Sequence, residues 1–285
     1  MEIVSAIITT HNRKELLKRA IDSVFKQTYP NIEIIVIDDA STDGTSEICK
    51  DSRIKYIYIQ KEESRGGNYA RNLGVKVSKG KYCAFLDDDD YWLPTKIEKQ
   101  VQLIESNDCE LVFTGKRNEI VSVSSISYVD YLPTPQKCGN MKNRIFYTIP
   151  SSTSFLLIEK KALLDIGLFD EKLKFWQEYE LMIRLAQRKP FLAVEEILGI
   201  YRVDIHDNNR LTNKYYEWKK AVKYIRCQHK QLYDNLSLKE KYFVWMHINN
   251  DAKLRSKNCG LKMQYQYYRL LSFIDSKVIH KLFHK

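Results

Sequence analysis

Four consecutive carboxylates, Asp87 to Asp90, follow the apolar run Tyr82–Leu86. Adjacent carboxylates repel one another unless a cation or a set of hydrogen-bond donors compensates them. Side chains alternate along an extended chain, so Asp87 and Asp89 are expected to point to the same side. Hard oxygen ligands of this kind suit Mg²⁺ or Mn²⁺, with phosphate oxygens completing the coordination. The segment therefore predicts a divalent-metal site, and a solvated acidic turn is the alternative.

Two other polar clusters have the chemistry of a nucleotide site. Asp38 and Asp39 follow the mostly apolar, strand-like run Ile32–Ile37, and such an acidic pair can accept hydrogen bonds from ribose hydroxyls or a base N–H. Arg71 lies about one turn into a helix predicted to open after Gly66, where the N-terminus favours phosphate and a guanidinium can hold a diphosphate. The alternatives are an Asp-rich turn with helix capping for the pair and a surface arginine for Arg71.

Alternating strand-like and helical segments in the first third predict a parallel α/β sheet. Asn12 and Glu15 have the spacing of a capping box that opens the first helix. Ligands of such sheets bind beyond the carboxyl ends of the strands. We therefore expect the polar clusters to converge on one crevice. The predicted strands are Ile3–Thr9, Ile32–Ile37, Lys55–Gln60 and Tyr82–Leu86.

The middle of the chain has a mixed pattern. Strand-like runs occur at Leu111–Thr114, Ser154–Ile158 and Phe191–Ile200, and a helix is predicted from about Glu178 to Gln187. The stretch from Ser122 to Pro150 is rich in Ser, Pro and Lys and is predicted to be a mobile loop.

The last 75 residues differ in composition from the rest. Residues 211–285 contain 16 Lys and Arg against 5 Asp and Glu, and 13 of the 34 aromatic residues. We therefore predict a domain of residues 1–210, with halves 1–115 and 116–210, and a basic, aromatic-rich extension of residues 211–285. Helices are predicted in it near Tyr215–Leu232, Lys239–Leu254 and Met263–Ile279. The basic, aromatic-rich surface of this extension could contact an anionic membrane, mediate self-association or cover the sheet. No motif in it supports binding to nucleic acid.

Composition excludes several classes of protein. The chain has 285 residues, 44% hydrophobic and 29% charged, which is typical of a folded globular protein. It contains no apolar run of about 18 residues and no predicted leader before Ile3, and its six cysteines are scattered. These features predict a cytoplasmic protein. The G-x-G-x-x-G and G-x-x-x-x-G-K-[ST] motifs are absent, which disfavours NAD enzymes and P-loop NTPases.

Taken together, the motifs resemble those of the family 2 glycosyltransferases. The resemblance is strong over residues 1 to about 115 and weaker to about 210, and it implies the GT-A fold, a Rossmann-like, mostly parallel sheet flanked by helices. The matching segments are Ile7–Arg13, Val36–Thr45, Gly67–Gly74 and Phe85–Asp90.

The resemblance implies a role for each motif residue. Asp87-x-Asp89 looks like the family's D-x-D motif, with Asp87 toward the ribose and Asp89 on Mn²⁺ or Mg²⁺. Asp39 would contact the base, Asp38 the nucleoside, and Arg71 the ribose or diphosphate. The other residues implied to bind the nucleotide-sugar are Thr9, His11, Arg13 and Asp88.

Two later segments resemble the catalytic part of the family. The text Gln177-Glu178-Tyr179-Glu180-Leu181 matches the acidic pair that supplies the family's base, although both acidic positions differ from the usual pattern. Glu178 is the predicted base and Glu180 its competitor, and stabilisation of a helix N-terminus is the alternative for both. His206, after Tyr201-Arg202, resembles a histidine that approaches the metal, with a solvent-facing loop histidine as the alternative.

The function implied is metal-dependent, inverting transfer of a hexose or N-acetylhexosamine from a UDP-sugar to a hydroxyl of a growing cell-surface glycan. The acceptor could be lipid-linked, which would bring the protein to the inner face of the membrane. One alternative is an inactive nucleotide-sugar-binding or scaffold subunit, suggested by the altered pair at Gln177 and Glu178. A sugar-phosphate nucleotidylyltransferase is a weaker alternative, because the segment Thr9–Arg13 is not a Gly-rich phosphate loop.

Overall fold

The computed structural model describes residues 1–207 and 213–283. The described chain divides into two units. The first comprises Met1–Lys142 and Pro150–Ile205, and the second comprises Asn143–Ile149 and the described residues from His206 onward.

The first half of unit 1 is a parallel sheet, as the alternating pattern predicts. Its strands run in the spatial order β3-β2-β1-β4, and every neighbouring pair is parallel. In chain order its elements are β1 (Val4–Thr10), α1 (Lys14–Phe25), β2 (Ile32–Asp39), α2 (Thr45–Ile48), β3 (Ile54–Ile59), α3 (Gly67–Val77) and β4 (Tyr82–Asp87).

Both faces of this sheet are buried, and in β2 successive apolar residues enter different clusters. Ile34 and Val36 of β2 pack in the cluster that includes Leu17 and Val24 of α1. Ile35 and Ile37 pack instead with Ala70 of α3. Near-continuous apolar strands covered by helices on both sides are typical of parallel sheets. The strand ends are therefore the part of the sheet left for ligands.

The second half of unit 1 continues the sheet with the three predicted strand-like runs and with two short strands, β5 and β7, that the sequence pattern did not predict. The sheet continues from β4 in the order β8-β6-β9-β5, with β7 paired to β6. β8 is antiparallel to both β4 and β6, whereas β6 and β9 are parallel. The elements are β5 (Tyr91–Trp92), α4 (Lys96–Glu105), β6 (Leu111–Val121), β7 (Ile126–Tyr131), β8 (Leu156–Glu159), α5 (Lys160–Asp165), α6 (Gln177–Ala186) and β9 (Phe191–Asp204).

The prediction of an irregular loop from Ser122 to Pro150 is wrong in its first part. β6 extends to Val121, turns through Ser122–Ser125 and returns as β7. The Ser122 hydroxyl donates to the Ser125 carbonyl and accepts from the Ser125 N–H, which closes the turn. Every residue of β7 is exposed. A strand without a buried face gives no alternation of apolar and polar residues, so periodicity could not reveal it.

The predicted capping box at Asn12 and Glu15 is also wrong. α1 begins at Lys14, and its N-cap residue makes no side-chain capping hydrogen bond. Asn12 has a left-handed backbone (φ 52°), and its side-chain oxygen accepts a hydrogen bond from the Thr42 N–H at 2.7 Å. The Lys14 N–H donates to the Asp43 carboxylate at 2.9 Å. The helix start is thus capped by the loop after β2, a contact between distant residues that local spacing cannot predict.

Gly74 allows α3 to lie directly against the sheet. A Cβ at this position would lie 2.4 Å from Cγ2 of Ile7 on β1. We expect Gly74→Ala to lower the free energy of unfolding by about 1–3 kcal/mol, because overpacking outweighs the better helix propensity of alanine. Urea unfolding measures the change, and Lys76→Ala, at an exposed position of the same helix, is the control. A stabilised Gly74→Ala variant would contradict this close packing.

Unit 2 is helical, in agreement with the predicted helices. Ser237 and Glu240 form a complete capping box at the start of α9. Trp218 is buried, with the Arg255 guanidinium 5.2 Å from its ring centroid, and the Tyr215 and Tyr268 hydroxyls are 2.9 Å apart. The helices are α7 (Tyr215–Gln228), α8 (Lys230–Asp234), α9 (Leu238–Asn258) and α10 (Lys262–Phe283).

Within the described ranges, no helix has both the length and the apolar character needed to cross a lipid bilayer. All six cysteines are free, and three of them, Cys49, Cys83 and Cys109, are buried.

Candidate functional site

The strand ends that carry the polar clusters lie side by side, as the sequence predicts. Thr10 of β1 is in register with Asp38 of β2, and Thr9 is in register with Asp87 of β4. Parallel strands end at the same edge, so the three clusters share one side of the sheet. Thr9 itself is half-buried at this edge. The fold therefore brings these three clusters to one edge of the sheet.

The acidic segment is compensated by donors from β1 and the loop after it. The Thr10 hydroxyl donates to Asp88 at 2.8 Å, and Arg13 Nη1 donates to Asp88 at 3.1 Å and to Asp89 at 3.0 Å. Burial raises the pKa of Asp88 to about 6, although the charge of Arg13 opposes the shift. Asp88 thus holds the segment to β1, while Asp89 remains accessible.

Asp90 anchors the acidic segment through buried hydrogen bonds, a role that sequence analysis did not assign. It is fully buried, accepting the Ser154 hydroxyl at 2.6 Å and the Arg202 N–H at 3.0 Å. The Ser154 oxygen also accepts the Asp87 N–H at 3.1 Å. Burial raises the pKa of Asp90 well above its usual range, and the charges of Asp89 and Asp87 add to the shift. A run of four aspartates does not reveal which one points inward, so the sequence could not assign this role.

Arg71 joins three elements of the site. One side of its guanidinium donates to Asp87 at 2.6 Å, and the other donates to Gln177 at 2.8 Å. Asp87 ends β4, Arg71 lies in α3, and Gln177 begins α6. The departure from the family pattern at Gln177 therefore has a structural role, because a neutral amide oxygen there accepts the second side of the arginine. This contact brings the start of α6 to the acidic segment.

Glu178 is adjacent to this junction. Burial raises the pKa of its carboxyl group, and the charge of Asp87 raises it further, whereas Arg71 and Lys116 lower it. Glu178 forms no ion pair with the residues that the structure describes. It is therefore a carboxylate near the acidic segment with the raised pKa expected of a general base.

Glu180, its competitor, is in a different environment. It is only 4% exposed, and both of its oxygens accept hydrogen bonds from Arg184 one turn later, at 2.9 and 2.5 Å. A buried carboxylate held by a bidentate arginine is suited to stabilising a helix. The geometry thus favours Glu178 over Glu180 as the base.

The acidic pair after β2 divides into an inner and an outer residue. Asp38 is 1% exposed and accepts from the Tyr56 hydroxyl at 2.7 Å and the Ser41 N–H at 2.9 Å. Its predicted contact with a nucleoside stays a prediction. Asp39 has a buried side-chain oxygen, Oδ1, without a hydrogen-bond partner, and its carbonyl oxygen contacts Nδ1 of His11. A buried acceptor of this kind fits a donor from a ligand.

A divalent metal is compatible with the acidic segment if phosphate and water supply most of its ligands. Among the described residues, no group of three or more His, Cys, Asp or Glu side chains is arranged to hold a metal ion. However, the side chains of Asp87 and Asp89 are 32% and 34% exposed. A carboxylate has about four lone-pair sites, so Asp89 can contact both Arg13 and a cation. Mg²⁺ is commonly bound by one or two carboxylates together with substrate phosphates.

His206, a predicted site residue, and Lys116, which was not predicted, are in different environments. His206 is exposed in the turn at the start of unit 2, and its contact with a metal stays a prediction. Lys116 on β6 was missed by sequence analysis, although it is close enough to Glu178 and Asp90 for their charges to raise its pKa against the dominant effect of burial. An isolated lysine in a strand pattern gives no signal that would single it out.

Comparison with known proteins agrees with this geometry. The family model for glycosyl transferase family 2 matches residues 5–161. The Escherichia coli UDP-Glc:alpha-D-GlcNAc-diphosphoundecaprenol beta-1,3-glucosyltransferase WfaP is 48% identical over 121 residues, which are 41% of this chain and 46% of WfaP. The chain thus aligns with slightly less than half the length of this relative.

Solved structures share the fold. S. aureus TarS 1-349 in complex with UDP-GlcNAc superposes with a TM-score of 0.65 at 17% identity, covering 90% of this chain and 73% of that one. The mannosyltransferase PcManGT from Pyrobaculum calidifontis, in complex with GDP-Man and Mn²⁺, gives a TM-score of 0.58 at 14% identity and covers 100% and 88% of the two chains. The GT-A fold expected from the motifs is confirmed. With its family model spanning more than half of the sequence, the chain belongs to glycosyl transferase family 2.

Proposed function

We propose that the protein is a metal-dependent, inverting glycosyltransferase that moves a hexose or N-acetylhexosamine from a UDP-sugar to a hydroxyl of a growing bacterial cell-surface glycan. The observation that carries the proposal is the Arg71 junction, which joins Asp87 to the start of α6 and so brings the acidic segment and Glu178 together. A donor site and a base on opposite sides of one reacting carbon are what a single displacement needs.

The donor proposed is a uridine diphosphate sugar. The buried Oδ1 of Asp39 can accept a hydrogen bond from the N–H of a base, and both uracil and guanine have such a donor. The similarity to WfaP, whose name specifies UDP-Glc, favours uracil, as does the complex of TarS with UDP-GlcNAc. PcManGT, with GDP-Man, has lower identity to this chain.

In the proposed reaction Glu178 accepts the proton of the acceptor hydroxyl while the hydroxyl oxygen attacks the anomeric carbon. The bond between that carbon and the diphosphate oxygen breaks, and the nucleoside diphosphate leaves with the electron pair. Attack from the face opposite the leaving group inverts the configuration. Mn²⁺ or Mg²⁺ bound at Asp89 would neutralise charge that builds on the leaving group. Arg71 and Arg13 supply fixed positive charge on the same side.

A lipid-linked acceptor is proposed because WfaP is named for one. Unit 2 has a surface suited to a membrane that holds it. On α10, Met263, Tyr267 and Leu270 are 84%, 58% and 58% exposed at helical spacing, and Lys262 and Arg269 are exposed beside them. Such a basic, apolar face fits an anionic bilayer.

Tyr267→Ser should reduce cosedimentation with phosphatidylglycerol vesicles, whereas an unchanged bound fraction would favour self-association through this face.

The direct test is calorimetric titration with UDP, GDP and CMP, each with and without Mn²⁺, followed by assays of transfer from UDP-sugars to a GlcNAc-diphosphate lipid. We expect UDP to bind most tightly of the three nucleotides, and more tightly with Mn²⁺ than without it. Binding of UDP without transfer from any donor would favour an inactive subunit. Failure to bind any nucleotide would overturn the proposal.

The pKa of Glu178 predicts how transfer depends on pH. A base must be deprotonated to act, so kcat/KM should rise with pH through the raised pKa of Glu178, above its ordinary value of 4.5. The profile is measured from pH 4.5 to 9, with circular dichroism to verify folding at each point. The dissociation constant of UDP over the same range separates Glu178 from Asp88, whose pKa is about 6. Full kcat/KM at pH 4.5 would contradict the assignment, because a base with a raised pKa is less than half deprotonated there.

A further inference from the structure

Arg19 of α1 binds the main chain of the acidic segment. Its Nη2 donates to the carbonyl oxygen of Asp89 at 2.6 Å. The carboxylate of Asp89 is contacted separately, by Arg13 at 3.0 Å. A hydrogen bond from a charged guanidinium is among the stronger ones in proteins. Arg19 therefore contributes to how Asp89 is held, although it lies outside the sequence motifs.

The peptide group between Asp89 and Asp90 is fixed at both of its polar ends. Its carbonyl oxygen accepts from Arg19, and its N–H donates to the Asp87 carbonyl at 3.0 Å, which closes a turn. Because a peptide group is planar, hydrogen bonds to both ends define its orientation. That orientation constrains the backbone of Asp89, and with it the direction of the bond from Cα to Cβ. The Asp89 carboxylate thus leaves the turn in a direction that Arg19 helps to determine.

Arg19 is itself held by residues of two strands. Its Nη1 lies 3.3 Å from Glu119 Oε1 on β6, and its guanidinium carbon lies 4.5 Å from the ring centroid of Tyr91 on β5. The Tyr91 hydroxyl donates to the other oxygen of Glu119 at 3.2 Å. The Glu119 side chain is only 9% exposed, so water competes little for these contacts. A planar guanidinium held by an acid and a ring is a rigid support for a carbonyl oxygen.

Rigid support has a specific value for Asp89. The part of the chain that the structure describes has no group of three or more His, Cys, Asp or Glu side chains arranged around a cation. Few carboxylates would then hold the metal, and groups that orient a metal ligand typically contribute about 10- to 100-fold to affinity. The Asp89 side chain is 34% exposed, so packing alone constrains it little. The backbone is therefore an effective place from which to direct it.

We propose that Arg19 is a positioning residue for metal binding, which directs the Asp89 carboxylate toward the cation by holding the Asp89 carbonyl. The inference rests on the proposed function, because it assumes a metal at Asp89. It assigns Arg19 no contact with the donor or the metal. Loss of Arg19 should therefore weaken metal-assisted binding of the donor and leave metal-free binding unchanged.

The test is calorimetric titration of the wild type and the double variant R19M/E119Q with UDP, with and without Mn²⁺. Removing both members of the ion pair keeps the net charge and leaves no unpaired buried carboxylate. We expect UDP affinity in Mn²⁺ to fall by about tenfold or more, and metal-free affinity to stay within about twofold. Glu119→Gln alone keeps the bond from Arg19 to Asp89, so it should retain the Mn²⁺ effect.

R188M/E110Q is the matched control. Arg188 and Glu110 form an ion pair with side-chain exposures of 30% and 9%, against 34% and 9% for Arg19 and Glu119. Glu110 directly precedes β6, and at about 3.3 Å per residue it lies about 30 Å along the strand from Glu119. Both double variants should have a lower melting temperature. Only R19M/E119Q should lose the Mn²⁺ effect on UDP binding.

Two further variants distinguish action through Asp89 from general support of the fold. In the background of Asp89→Asn, R19M/E119Q should cause no further loss of UDP affinity in Mn²⁺, because both changes act on the same ligand. Arg19→Lys keeps the charge, but its ammonium group would bond the Glu119 carboxylate in preference to a neutral carbonyl. We expect it to fold and to weaken UDP binding in Mn²⁺ by about threefold.

Three results would overturn the inference and leave the proposed function intact. R19M/E119Q could keep the full Mn²⁺ effect, lower UDP affinity equally with and without metal, or add its loss to that of Asp89→Asn. If the double variant does not fold, an unchanged Mn²⁺ effect in Arg19→Lys has the same meaning. A wild type whose UDP binding does not respond to Mn²⁺ would instead reject the metal of the proposed function together with this inference.

Discussion

Glu178→Gln should lower kcat by a factor of about 10² to 10⁴ while leaving the dissociation constant of UDP unchanged. Removing a general base costs a factor of this size because the acceptor hydroxyl must then lose its proton to water. The amide has nearly the same shape as the carboxylate, and Arg71 is held by Asp87 and Gln177 rather than by Glu178. The measurements are steady-state kinetics with a saturating donor and calorimetry with UDP.

Glu180→Gln is the matched control on the same helix. It removes the charge that accepts two hydrogen bonds from Arg184, so its main effect should be a lower melting temperature. At a temperature where it is folded, its kcat should stay within about threefold of the wild type. A large loss of kcat in Glu180→Gln with full activity in Glu178→Gln would exchange the two assignments.

Asp89→Asn should remove the effect of metal on donor binding. Loss of one of very few protein ligands should weaken binding of UDP in the presence of Mn²⁺ by about 100-fold. Without metal, the same variant should bind UDP as well as the wild type or slightly better, because a negative charge near the diphosphate is gone. Calorimetry with and without Mn²⁺ measures both effects, and their opposite directions separate a metal ligand from a misfolded site.

Asp165→Asn provides the control for this change. Asp165 has a similar exposure, 33% against 34% for Asp89, and each carboxylate lies 3.0 Å from an arginine nitrogen. Asp165 ends α5, away from the acidic segment in sequence and on another element. It should leave both UDP affinities unchanged. Equal metal dependence in Asp89→Asn and the wild type would reject Asp89 as the metal ligand.

The parallel half of the fold and its strand-end clusters were predictable because they depend on local pattern. The residues directly before Asp38 (34–37) and Asp87 (82–86) are all apolar and buried, and the acids that follow mark the edge of the sheet. The start of α1 was not predictable in the same way. Its cap comes from Asp43, and contact between residues 29 apart depends on how β1 and β2 pair.

The same distinction between local pattern and tertiary contact applies to the residues of the candidate site. Arg71, Asp89 and Glu178 could be proposed because they lie in motifs, whereas Asp90 and Lys116 acquire their roles from tertiary contacts. Asp90 is bonded to Ser154 and Arg202, which are 64 and 112 residues away. Lys116 lies opposite extra residues of β9, where the register between β6 and β9 shifts. Neither a hydrogen bond to a distant residue nor an irregularity in strand pairing can be recognised from the residues of one strand alone.

The close contact of Gly74 with Ile7 has a consequence for the thermodynamics of donor binding. Because Gly74 lets α3 pack directly against β1, and most of the helix around Arg71 is buried, the backbone that carries this arginine is held in place before any ligand arrives. Binding then requires little loss of conformational entropy from this arginine. In Gly74→Ala, a displaced helix would have to be reordered by the ligand, so UDP binding should show a more unfavourable entropy with its enthalpy largely retained. The packing of α3 against β1 thus influences the entropy of donor binding at the strand ends.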